Sequence, residues 1–97
     1  MVNIGFFVRI EARAGKEDLV EKMLSDALPL AQAEEETFFW YAVKFGPTTF
    51  AIFDGFETEE GREIHLKGRI ADLLLGNADE LLVTPPIIDR WDLVVAK

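Results

Sequence analysis

The sequence predicts an α+β fold of the βαββαβ type, a ferredoxin-like four-stranded antiparallel sheet with its helices on one side. Three observations carry this reading. Asn3–Ala12 alternates apolar and polar residues at a period of two, and from Lys16 to Ala31 apolar residues recur at helical spacing. Two aromatic-rich runs, Thr37–Phe45 and Thr48–Phe56, are joined by Gly46-Pro47 as a hairpin.

The first strand puts Ile4, Phe6, Val8 and Ile10 on one face and ends at Ala14-Gly15. In the first helix Leu19, Val20, Met23, Leu24, Ala27, Leu28 and Ala31 form the apolar stripe, with Glu17 and Asp18 well placed against the N-terminal dipole. Pro29 removes one helical hydrogen bond, so a kink or break is expected near Ser25–Pro29. The acidic run Glu34–Glu36 is expected to be the solvated end of this helix. Thr58 can cap a second helix beginning at Glu59. Helical character resumes at Arg69–Leu75, stops at Gly76-Asn77 and continues as a short turn over Asp79–Leu82; Pro85-Pro86 leads into a last strand, Ile87–Val95. A single domain over residues 1–97 is expected.

Composition narrows the function. The formal net charge is −8, from 18 acidic and 10 basic side chains, and no basic cluster exists to neutralise phosphates. Nucleic acid and anionic membrane surfaces are therefore not expected partners. No cysteine is present, which excludes disulfides, Fe–S clusters and thiolate zinc sites. The N-terminal apolar run is interrupted by Arg9 and Glu11, and no stretch approaches the length of a membrane span, so a cytoplasmic location is expected.

The hairpin strands are apolar on both sides. Phe39, Tyr41, Val43 and Phe45 oppose Phe38, Trp40 and Ala42, while Phe50, Ile52 and Phe56 oppose Ala51 and Phe53. Helices cover one side only, and the aromatic surface left over exceeds what a monomer usually exposes. Packing against a second copy is the expected solution, with the Trp40 side as a candidate interface.

With this element order, the chain resembles the antibiotic biosynthesis monooxygenase family of dimeric α+β barrel proteins. The resemblance spans nearly the whole chain. It is carried by Arg9 with Ala14-Gly15, by Pro29 followed by Glu34-Glu35, by Phe53-Asp54-Gly55-Phe56-Glu57 at the hairpin's end, and by His65-Leu66 on the next helix. The resemblance implies a homodimer whose sheets pair as a barrel. It also implies a small aromatic ligand and chemistry that needs no cofactor. Members of the family include oxygenases of quinols and polyketide phenols, haem-degrading enzymes and an isomerase. Where polyketide-oxidising members carry Asn, Trp and Tyr, this chain has Ile52, Phe56 and Arg62; with Arg9 and Trp40, these are the candidate substrate contacts. Haem-degrading members have an Asn near Val8, and a second histidine often stands where this chain has Ile70.

The only histidine, His65, is the leading candidate for a general acid or base, with Asp54 as its catalytic companion. Gly61, Arg62, Gly68 and Arg69 are its helical neighbours; the glycines suggest close packing or room for a ligand, and the arginines would favour a neutral ring. The competing reading is a structural histidine bonded to a backbone carbonyl or to Asp54. Asp54 itself needs a partner, with Arg9, Arg90 and His65 as the choices. One histidine cannot supply a two-histidine, one-carboxylate iron site, so no metal is expected. Two functions follow: a cofactor-independent monooxygenase of an electron-rich quinol or phenol, or a dimeric small-molecule-binding or structural protein of the same fold, with haem binding through His65 a further alternative.

Overall fold

A computed structural model describes all 97 residues. The chain runs β1 (Ile4–Glu11), α1 (Glu17–Gln32), β2 (Thr37–Lys44), β3 (Thr49–Phe56), α2 (Glu59–Leu66), α3 (Arg69–Leu81) and β4 (Ile87–Asp92). The four strands form one antiparallel sheet in the order β2-β3-β1-β4, the ferredoxin-like arrangement that the alternation and the hairpin predict. β1 lies in the middle, with Phe6 opposite both Asp54 on β3 and Arg90 on β4.

The apolar face of β1 and the face of β3 carrying Phe50, Ile52 and Phe56 meet the helices in one core, which also takes in Val20, Met23, Leu24 and Ala27 of α1. Each large aliphatic or aromatic side chain buried there stabilises the fold by about 1.5–3 kcal/mol. Thr58 caps α2 as expected: its hydroxyl accepts a 3.0 Å hydrogen bond from the Gly61 amide.

The structure corrects several boundaries. α1 is continuous through Pro29, because proline sits in the last turn and the Ser25 carbonyl it leaves free is on an exposed residue. α3 also runs through Gly76-Asn77. An exposed glycine costs roughly 1 kcal/mol there, and burial of Ile70, Leu74 and Leu81 along one stripe offsets it. The expected break within the second helical region falls earlier, at Lys67-Gly68, where the Gly68 amide closes on the His65 carbonyl at 3.0 Å. β4 stops at Asp92, three residues short of the expected end.

Trp40 pairs with Asp54 in the ladder and therefore faces the helices, where it packs against the core half-buried. The expectation that its side of β2 is the outer face is reversed by an irregularity between Thr37 and Phe39, which shifts the register ahead of Trp40. The outer face instead carries Phe39, Tyr41, Phe53 and Trp91, their rings 5.1–5.5 Å apart in successive pairs. Gly5 and Gly55 let these rings lie flat on the sheet: a Cβ at either would collide with Trp91 or Phe39. No helix is long and apolar enough to cross a membrane.

Candidate functional site

β3 brings Asp54 to the helix-facing side of the sheet in the middle of the core, completely buried. Its Oδ1 accepts a 3.0 Å hydrogen bond from the Phe6 amide of the neighbouring strand. Its Oδ2 faces His65 Nε2 at 3.1 Å, an ion-pair contact without a well-directed hydrogen bond. Of the three expected partners, the fold therefore brings His65 to Asp54.

His65 is the penultimate residue of α2, and its ring packs on Phe6 and Phe56 at centroid distances of 6.2 and 5.1 Å. The other ring nitrogen, Nδ1, lies 2.6 Å from Glu34 Oε1. Glu34 sits in the connection between α1 and β2. Thr37 holds the same oxygen by donating its hydroxyl at 2.6 Å. The expectation of a solvated acidic end thus fails at Glu34, whose side chain is only 18% exposed. Nothing in the local sequence separates Glu34 from Glu35 and Glu36; the packing of α2 against the start of β2 selects it.

The expected shift towards a neutral ring is reversed. Burial is the largest single influence on His65 and pushes its pKa down, but the two carboxylates facing its ring nitrogens, Asp54 and Glu34, together outweigh it and hold the imidazole above its ordinary range. Arg62 does not oppose this. Its guanidinium is buried, donates to the Gly5 carbonyl at 3.3 Å and pairs with Glu59 at 2.6 Å. The two glycines flanking the histidine serve close packing: a Cβ at Gly61 would press on Glu36, and one at Gly68 on Glu34 and the His65 carbonyl.

Asp54 and His65 are the only polar residues in the wall of a cavity of about 160 Å³. Phe6, Val8 and Ile52 form its floor on the sheet, Ile70 and Leu74 of α3 its roof, and the exposed Leu75 and Ile88 stand at its rim. Of the sequence candidates, His65, Asp54 and Ile52 come together here. Phe56 lies behind the imidazole, and Arg62 lies beside it, outside the cavity wall. Arg9 is on the opposite face of the sheet, with its guanidinium over Phe7. Trp40 lines a separate open groove of about 520 Å³ between α1 and β2 that shares no residue with the cavity. The fit to haem is poor: both imidazole nitrogens face carboxylates, and the cavity is far smaller than a porphyrin requires.

No protein-family model matches the chain, and no curated protein matches it either. Among solved structures, two proteins each named a putative antibiotic biosynthesis monooxygenase have the same fold. The one from Nitrosomonas europaea is 10% identical with a TM-score of 0.80, over 92% of this chain and 95% of its own. The one from Bordetella bronchiseptica is 17% identical with a TM-score of 0.76, over 98% of this chain and all of its own. The fold is thus the ferredoxin-like α+β fold of proteins so named. A second protein from Nitrosomonas europaea, described as of unknown function, is 48% identical with a TM-score of 0.97, over the whole of this chain and 94% of its own. The chain belongs to the same family as that protein.

Proposed function

We propose that the protein is a cofactor-independent monooxygenase of a single-ring, electron-rich aromatic such as a hydroquinone or simple phenol, acting as a homodimer. The observation that carries this reading is the apolar cavity with one carboxylate–imidazole pair in its wall. Its volume of about 160 Å³ is close to that of apolar cavities that hold a benzene ring, about 150 Å³. A phenol hydroxyl would donate to Asp54 Oδ2, the buried oxygen that lacks a well-directed hydrogen bond.

Asp54, His65 and Glu34 would together accept the phenolic proton, as a unit with one imidazole between two carboxylates. The phenolate passes an electron to dioxygen, and the radical pair joins at a hydrogen-bearing carbon ortho or para to the phenolic oxygen to give a peroxide anion, which takes back the phenolic proton from the site. Loss of the ring proton from that carbon breaks the O–O bond, and the departing hydroxide takes up that proton and leaves as water. The ring is oxidised by four electrons to a quinone, one oxygen atom becoming its new carbonyl and the other ending in water. The apolar walls keep solvent from the intermediates.

The dimer reading is supported by the aromatic cluster on the outer sheet face, where Tyr41 and Phe53 are exposed. Sheet-on-sheet packing with a second copy would cover it.

The test is oxygen uptake with a panel of one-ring hydroquinones and phenols, without added flavin, metal or haem. Uptake is expected, and it should fall roughly 10²–10⁴-fold in His65→Gln and Asp54→Asn, the range for loss of acid–base catalysis. Undiminished uptake in these folded variants would remove the pair from the chemistry. The second reading, a binding protein without catalysis, is favoured by the positions that carry Asn, Trp and Tyr in polyketide-oxidising relatives: only Ile52 of the three lines the cavity. Ligand density in the cavity with no oxygen uptake by the wild type would decide for it.

A further inference from the structure

The single histidine connects the inside of the molecule with its outside. Asp54 is fully buried in the cavity wall, the His65 side chain is 9% exposed, and Glu34 reaches the surface, lining a shallow depression beside Gly68 and Arg69. The two links, 3.1 Å from Asp54 Oδ2 to Nε2 and 2.6 Å from Nδ1 to Glu34 Oε1, put each carboxylate within reach of one ring nitrogen, the Asp54 contact being the less well directed. No other titratable group faces the ring. β1, α3 and β4 present Phe6, Ile70, Leu74 and Ile88 around the cavity. Arg62 is held by Glu59 and the Gly5 carbonyl, and Arg90 by Glu59 and Glu63. Thr37 adds only a hydroxyl, 3.4 Å from Nδ1.

We propose that Glu34 is the outlet of a proton path that runs from the cavity-facing Asp54 carboxylate, through both nitrogens of the His65 ring, to solvent. When the neutral ring carries its proton on Nδ1, a proton arriving at Nε2 releases the Nδ1 proton to Glu34, and the reverse transfer returns a proton to the cavity and restores the ring. Glu34 is outside the cavity wall and is therefore a positioning residue. Its use in turnover rests on the oxygenase reading; the path itself is a property of the resting protein.

The experiment reads solvent exchange of the His65 ring protons by nitrogen-edited NMR, in which a chain with one histidine gives one set of ring signals. In Glu34→Gln, which keeps the size of the side chain and an acceptor for Thr37, exchange of the Nδ1 proton should slow roughly 10²-fold, the contribution of a positioned base. Glu34→Asp, if the first variant fails to fold, should slow it by less. Unchanged exchange in a folded variant would mean that the Nδ1 proton reaches solvent by a route other than Glu34, and would overturn the proposal. With an active substrate, Glu34→Gln should lower kcat and leave KM in place. If the wild type oxidises nothing, the oxygenase reading fails, while the exchange measurement still decides the path.

Discussion

His65 Nδ1 lies 2.6 Å from Glu34 Oε1, a contact between residues 31 positions apart that joins the end of α2 to the connection after α1. With Asp54 on the other ring nitrogen, it turns the one histidine into the middle of a chain of charges. The consequences for stability, assembly and site integrity can each be measured.

The first consequence concerns pH. The folded protein holds the His65 imidazole above its ordinary range, so the protonated ring is favoured more in the folded chain than in the unfolded one. The stabilisation this gives is complete below the unfolded pKa of about 6.5 and is lost as pH rises through the higher folded value. Thermal unfolding should show Tm falling across that window in the wild type, and a flatter profile in His65→Gln. A wild-type Tm that climbs over the same interval would contradict the assigned charge state.

Asp54 is expected to be the most sensitive position in the site. Replacement by alanine leaves His65 Nε2 and the Phe6 amide without their partner in the core, and removing one partner of a buried pair typically costs about 3–5 kcal/mol. Asp54→Asn keeps an acceptor for the Phe6 amide and should cost less. Urea unfolding checks both, and a loss below about 1 kcal/mol for the alanine variant would show that the pair contributes little.

Assembly should depend on the outer sheet face. Phe53→Glu or Trp91→Glu is expected to give folded monomers of 11.0 kDa in size-exclusion chromatography with light scattering, whereas the wild type should run at twice that mass. Trp40→Glu should lower Tm instead, because that side chain packs on the core beneath α1. A wild type that is monomeric at micromolar concentration would remove the homodimer from the proposed function.

Local chemistry was enough to place the strands and the helix starts. The alternation of Ile4, Phe6, Val8 and Ile10, the Gly46-Pro47 turn and the Thr58 cap are signals within a few residues of one another, and the fold honours each of them. Signals that depend on what an element packs against were less legible. Pro29 and Gly76 read as helix breakers, and they lie inside helices because the buried stripes of α1 and α3 offset their local cost. The irregularity at Phe38 turned Trp40 inward, since one extra residue exchanges the two faces of a strand.

By itself the sequence determined that one imidazole was available, that Asp54 needed a partner and that the hairpin strands carry aromatic residues on both sides. Only the tertiary structure decided that Asp54 and Glu34 take opposite nitrogens of the ring, that the arginine next along the helix is engaged elsewhere, and that Arg9 stands on the far side of the sheet. The physical reason is that a pKa and a cavity are sums over neighbours brought together from β3, α2 and the turn after α1, and sequence spacing does not encode those distances.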